Sequence, residues 1–257
     1  MSSTLSRRSL LALTPGLLLA ACQSDDIARR SGRRVYTRPR FSGRIGQQIE
    51  LNKALLARGM ALGNPVLIQV FKEERQLDVW MLRNDTSGFA LMNRYPICYY
   101  SGQLGPKLRE GDGQSPEGFY NLDLWHIRAS SQGNHLFMEL DFPNAVDQAL
   151  GRTGSWIGIH GGCTSIGCYA MTDKAIEEIY LLVEAALLAS QRSVPVHAFP
   201  FRMTGPRLWR EREQPHYGFW RQLQRAYQNF ETTRFPPRIE TQGYRYRISP
   251  VDEVEDY

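Results

Sequence analysis

The residues best suited to chemistry lie in one stretch, Trp156 to Met171, which reads W-I-G-I-H-G-G-C-T-S-I-G-C-Y-A-M. Sixteen positions hold His160, Cys163, Ser165 and Cys168 together with Gly158, Gly161, Gly162 and Gly167. A thiol becomes a nucleophile when a neighbouring imidazole takes its proton. Trp156, Ile157 and Ile159 read as a buried strand, and the glycine-rich run after His160 reads as a turn. Centred on Thr164, such a turn sets His160 opposite Cys168 on two arms, where facing Cβ atoms are about 4.5–5.5 Å apart. A helix predicted to start at Thr172 or Asp173 follows at once, and its dipole and the imidazole together favour thiolate over thiol.

Other chemistries compete for the same residues. His160, Cys163 and Cys168 are possible zinc ligands, but there is no clear fourth ligand and no paired C-x-x-C, so no metal and no cofactor are expected. In an oxidising compartment Cys163 could pair with Cys168, or Cys98 could pair with Cys163 and leave Cys168 free, and the sequence leaves both open. Cys98 lies in the apolar run Ile97 to Tyr100 and reads as a small buried hydrophobe. His126, His135, His197 and His216 have no neighbours that suggest catalysis and read as structural or surface groups. Ser165, Asp112, Asn144, Asp147 and Arg152 are pocket candidates. Arg152 could clamp a substrate carboxylate in bidentate fashion, or equally form a structural ion pair.

The elements that must position these residues give an α+β chain that is mostly β. With 257 residues, 22% charged and 42% hydrophobic, the composition suits one large globular domain with an appendage. Ile45, Ile49, Leu51, Leu55 and Leu56 mark an amphipathic helix ended by Gly59. Residues 66–71 and 76–81 form a predicted hairpin across the turn 72–75, with further strands at 89–92 and 97–100. Glycines and prolines crowd 101–120, the signature of a long shaped loop, and such loops often carry function. Strands at 122–125 and 136–140 and a polar loop at 141–154 lead into the central stretch. The helix from Thr172 or Asp173 extends to about Ser190, with Ile176, Ile179, Val183 and Leu187 on one face, and 194–199 is the last core strand. The appendage, 201–257, adds a helix over 219–230 and a strand over 244–248. Trp220, Leu223, Tyr227 and Phe230 recur there at helical spacing, so it is expected to pack on the domain.

The N-terminus reads as an address. Arg7-Arg8 precedes the apolar run Leu10 to Ala21, which is too short to span a bilayer and fits a bacterial signal peptide over residues 1–21. Leu19-Ala20-Ala21-Cys22 looks like a lipobox, implying lipid attachment at Cys22; ordinary cleavage near Ala21 is the alternative. Ser6 to Leu11 also has a weak likeness to a twin-arginine signal. With Gln23 following, the expected destination is the outer membrane, facing the periplasm. Residues 22–44 form a polar, arginine-rich tether. The net charge of +5 owes much to the nine arginines between Arg7 and Arg44, so it describes a tail and not a nucleic-acid face.

Three segments together resemble a known family. They are Ser101 to Lys107 (S-G-Q-L-G-P-K), Gly111 to Tyr120 (G-D-G-Q-S-P-E-G-F-Y), and Ile159-His160-Gly161 with Ser165 to Met171. The chain resembles the YkuD-type L,D-transpeptidases over residues 65–200, and more closely their YafK branch, which includes the DpaA amidase. The resemblance implies a mostly β sandwich or sheet catalytic domain over 45–200 with flanking helices and a C-terminal helix-strand appendage. Peptidoglycan stem peptides are then the partners, Cys168 the nucleophile and His160 the base. Ile166 stands where the family motif has histidine, Ala170 where arginine or asparagine is common, and the gap between His160 and Cys168 is short. These departures are typical of the branch and weigh against ordinary crosslinking.

By that resemblance the chain is a cysteine amidase that cuts the amide joining meso-diaminopimelate to the lysine of a wall-linked lipoprotein. The backbone N–H groups of Gly167 and Cys168 are candidate oxyanion donors. An L,D-transpeptidase differs only in admitting an amine to the thioester, and a non-catalytic wall-binding lipoprotein is the third class. The apolar Ile166 and Ala170 favour the first over the second, and the intact pair of His160 and Cys168 argues against the third.

Overall fold

The segment Val66–Phe71 (β1) is buried at every position, which a strand shows when it is covered on both faces and paired on both edges. Gln76–Leu82 (β2) folds back on it and pairs antiparallel from Val66 with Met81 to Phe71 with Gln76. The other edge of β1 takes Val194–Phe199 (β10) in parallel. Phe89–Pro96 (β3) and Gly118–Leu122 (β5) complete a sheet of order β3-β2-β1-β10-β5. A second five-stranded sheet runs β4-β9-β8-β7-β6, from Tyr99–Tyr100 (β4), Tyr169–Ala170 (β9), Gly158–His160 (β8), Asn134–Glu139 (β7) and Ile127–Ser131 (β6). The computed structural model describes residues 36, 38, 44–131 and 133–251. The segment 1–21 expected to be a signal peptide, Cys22 and most of the expected tether 22–44 lie outside the described residues.

Helix Arg44–Leu56 (α1) covers part of the helix Asp173–Leu188, and the short Ala145–Ala149 (α2) lies between β7 and β8 in the chain. The long helix, α3, touches β1 and β10 of the first sheet and β7 and β8 of the second. Ten of its residues are buried, among them Ile176, Ile179, Tyr180, Val183 and Leu187, as expected of a helix enclosed on most sides. Thr172 caps it by accepting the Ala175 N–H. Beyond β10, Gly205–Trp209 (α4), Tyr217–Thr233 (α5) and the hairpin Arg238–Gln242 (β11) with Arg245–Ser249 (β12) lie against the first sheet. Trp220, Leu223 and Ala226 of α5 share one apolar cluster with Phe71, Phe119 and Phe199 of the sheet.

Three local readings change. The strand expected at 122–125 is β5, which begins at Gly118 inside the predicted loop; Asp123 accepts the N–H groups of Trp125 and His126 and turns the chain there. That turn releases β6, which alternation alone did not reveal. The polar loop 141–154 holds α2, because Asn144 and Asp147 form a reciprocal capping box.

A buried ion pair fastens the long loop 101–117 to this frame. Lys72, at the end of β1, is fully buried and donates to the carbonyls of Gln103, Gly105 and Ser115 at 2.7, 3.1 and 3.0 Å. Its ammonium is 3.1 Å from the Glu117 carboxylate, itself fully buried. Glu117 also accepts the Gly105 N–H at 2.7 Å and the Trp220 indole N–H at 2.7 Å, so strand, loop and α5 meet on one carboxylate. Removing one partner of a buried pair leaves the other charge uncompensated, at about 3–5 kcal/mol. Lys72→Met is therefore expected to lower the unfolding free energy in urea by about that amount. Trp220→Phe removes one hydrogen bond to a charged group and should cost about 1.5–3 kcal/mol.

Candidate active site

His160 ends β8 and is 1% exposed. Its Nδ1 lies 2.6 Å from the Gly161 carbonyl; a carbonyl only accepts, so Nδ1 carries the proton and Nε2 keeps a free lone pair. Phe137 stacks on the ring at 6.0 Å between centroids. Cys168 enters β9 with 7% of its surface exposed, and its thiol donates to the Trp156 carbonyl at 3.4 Å. The Cys168 N–H donates to Ser165 Oγ at 2.7 Å. The hydroxyls of Ser165 and Ser115 both donate to the Cys168 carbonyl, at 2.9 and 3.1 Å. One residue earlier, the Gly167 N–H donates to Ser101 Oγ at 2.7 Å.

The loop between His160 and Cys168 does not make the expected antiparallel turn. Strands β8 and β9 are parallel, pairing Ile159 with Tyr169 and His160 with Ala170. Left-handed backbone at Gly162, Cys163 and Gly167 (φ 97°, 54° and 108°) coils the chain round so that it re-enters in the same direction. Cys163 is held there by a disulfide to Cys98, with Cα atoms 5.1 Å apart. Cys98 is thus a crosslink and not a mere hydrophobe, Cys163 is spent as a metal ligand, and Cys168 is the free thiol among the described residues. On the chain-entropy account, a bridge across 65 residues stabilises by about 4 kcal/mol.

His160, Cys168 and Ser165 line one cleft of about 280 Å³ with Phe137, Trp156 and Ile166. The other four pocket candidates, Asp112, Asn144, Asp147 and Arg152, have structural partners and do not line it. Arg152 is buried, donates to Asp147 at 2.7 Å and lies over the Phe219 ring, so the ion-pair alternative describes its contacts. Asn144 caps α2 and donates to the Phe119 carbonyl and the Tyr246 hydroxyl, both at 2.8 Å. Asp112 accepts Lys107 Nζ and the N–H groups of Leu108, Arg109 and Gln114. Burial pushes its pKa up, but Lys107 and those N–H groups outweigh it and bring it down to about 2.

Burial also sets the protonation of the pair. It raises the Cys168 thiol above its ordinary value, opposed by the Gly158 N–H, Ser165 and the Lys107 charge. It lowers His160, opposed by the Gly161 carbonyl. Both shifts favour the neutral forms, so the resting site holds thiol and imidazole rather than the thiolate that the helix dipole suggested. Ser101, Ser115, Lys107 and Trp156 were not singled out by sequence. The first three lie in the glycine-rich loop, whose density was the available signal, but their partners are set by tertiary folding.

Residues 65–197 match the YkuD family, described as the L,D-transpeptidase catalytic domain. The chain is 44% identical over 188 residues to YafK of Escherichia coli K12, a candidate L,D-transpeptidase by its name, covering 73% of this chain and 75% of that protein. Among solved structures, the helical cell shape determining protein Pgp2 from Campylobacter jejuni is 18% identical, with a TM-score of 0.43 over 78% of this chain and 80% of that one. Mycobacterium tuberculosis L,D-transpeptidase 1 is 12% identical, with a TM-score of 0.29 over 54% of this chain and 64% of that one.

Because the thiol is raised and the imidazole lowered, alkylation of Cys168 by iodoacetamide should rise with pH through a midpoint above the ordinary cysteine range. Mass spectrometry of the modified peptide across pH 5–10 reads this directly, and a midpoint below about 7 would show a preformed thiolate–imidazolium pair. Replacing Cys98 and Cys163 together by alanine should lower stability by about 4 kcal/mol under non-reducing conditions.

Proposed function

The chain belongs to the YkuD family of L,D-transpeptidase catalytic domains, and from that premise we propose that it is a periplasmic, lipid-anchored cysteine amidase of the cell wall. Its bond is the amide between the meso-diaminopimelate carbonyl and the lysine amine of a wall-linked lipoprotein. The observation that carries this reading is a free thiol sharing a cleft with an imidazole whose Nε2 is available. Attachment through Cys22 at the outer membrane completes the reading and stands on the N-terminal sequence.

The steps follow from the atoms present. Nε2 of His160 takes the proton of Cys168 as Sγ attacks the diaminopimelate carbonyl. Transfer and attack belong together, because burial disfavours a standing charge on either group. The oxyanion displaces the serine hydroxyls from the N–H groups of Gly167 and Cys168, since a charged acceptor binds roughly twice as strongly as a neutral one. The imidazolium then gives its proton to the departing lysine amine, leaving a thioester. His160 next takes a proton from water, the hydroxide attacks the thioester, and the carboxylate leaves as the thiol is restored.

Hydrolysis is favoured over transfer to an amine by the groups around the thiol. Ile166, 86% exposed, lines the cleft, and Ala170 is fully buried in β9; neither offers a hydrogen bond with which to orient an acceptor amine. The L,D-transpeptidase reading is the alternative, since the same thioester serves both reactions. Incubation with muropeptides bearing a C-terminal lysine should release lysine and leave the free tripeptide. Cys168→Ala should lower that rate at least about a thousand-fold and His160→Gln by about a hundred-fold or more, with the fold intact by circular dichroism. New diaminopimelate-to-diaminopimelate dimers with the lysine untouched would make it a transpeptidase.

A further inference from the structure

A row of side chains crosses the second sheet on the face that carries the cleft. In an antiparallel pair, residues directly opposite project from the same face. Arg128 of β6 is opposite Phe137 of β7. Between β7 and β8 the register pairs Met138 with Ile159 and Glu139 with Gly158; one step further it sets Phe137 opposite His160, and their rings stack. Arg128 is therefore two strands from the imidazole on its own face, roughly 10 Å away at the backbone.

Its guanidinium is held rather than loose. It lies over the Trp156 ring, 5.3 Å from the centroid, and Nη1 donates to Glu139 at 2.7 Å. Trp156 lines the cleft, and its carbonyl accepts the Cys168 thiol. It does both from a left-handed backbone, φ 56°, which is rare for a bulky residue and persists only where the surroundings fix it. The Arg128 side chain is 34% exposed, and its Nε and Nη2 meet no protein acceptor among the described residues. A fixed guanidinium with two donors free on one edge matches a carboxylate.

We propose that Arg128, fixed by Trp156 and Glu139, binds the free carboxylate at the second stereocentre of the acyl-donor diaminopimelate. The inference rests on the acyl-transfer chemistry above and adds the residue that selects the acyl donor. In that amino acid the carboxylate carbon is six bonds from the reacting carbonyl carbon, roughly 7 Å when extended. That span and the length of an arginine side chain together are enough to bridge the strands between Cys168 and Arg128. The residue expected from sequence to do this, Arg152, is committed to Asp147.

The test measures thioester formation at Cys168 by intact-protein mass spectrometry, which is blind to whether water or an amine later resolves it. Two tripeptide–lysine donors are compared, one with the diaminopimelate carboxylate free and one with it amidated. The wild-type protein should acylate at least about ten times faster with the free acid, through a lower KM. Arg128→Gln should erase that preference, so that the free acid acylates no faster than the amidated donor; Arg128→Lys, which keeps the charge but not the fork, should restore part of it. Equal rates for the two donors in the wild type, or a preference that survives in Arg128→Gln, overturns this inference alone. Failure of both donors to acylate the wild-type protein overturns the acyl-transfer reading itself, and this one with it.

Discussion

The structure depends on a charge pair that no water reaches. Lys72 and Glu117 are both fully buried, and burial pulls the lysine pKa down while the nearby carboxylate holds it up. Such a pair persists only when its remaining hydrogen-bonding capacity is met, and here the partners are structural. The three carbonyls that satisfy Lys72 belong to the long loop, and the two N–H groups that satisfy Glu117 belong to that loop and to α5. Two charges thereby convert a glycine-rich segment, with little core of its own, into a fixed surface.

That surface is what Cys168 rests on. Ser101 meets the Gly167 N–H, Ser115 meets the Cys168 carbonyl, and the Pro116 carbonyl accepts the Tyr169 hydroxyl at 2.5 Å. From the other side the disulfide ties the loop's Cys163 to Cys98 at the start of β4, where the Cys98 N–H donates to Ala170. Backbone on both flanks of Cys168 is thus held by the long loop and by the disulfide. A site whose supports are this complete keeps its reacting atoms in place without drawing on substrate binding.

Burial gives the site its chemical character. The same desolvation that keeps thiol and imidazole neutral at rest strengthens each hydrogen bond made to charge as it develops. In the proposed reaction the thiol loses its proton during attack, and the imidazole lone pair with its fixed tautomer is the group that would take it. The row Arg128, Phe137 and His160 extends across the sheet, with an imidazole at one end and a guanidinium at the other on a single pleated face.

By itself the sequence determined the mostly β class, the strands at β1, β2 and β10, the long helix with a cap at Thr172 or Asp173, and the pairing of His160 with Cys168 as the chemistry to expect. These are readable because apolar periodicity and capping act over a few neighbouring residues. The family resemblance was equally local, resting on short motifs in the loop and around Cys168. Only the tertiary structure decided that β8 and β9 run parallel, that Cys98 takes Cys163, and that Asn144, Asp112 and Arg152 serve caps, loops and ion pairs. It also chose Ser101 and Ser115, 66 and 53 residues from their partners, to hold the backbone at Gly167 and Cys168. Contacts of that separation leave no periodic trace in a chain, because they are fixed by the packing of sheets and not by the residues beside them.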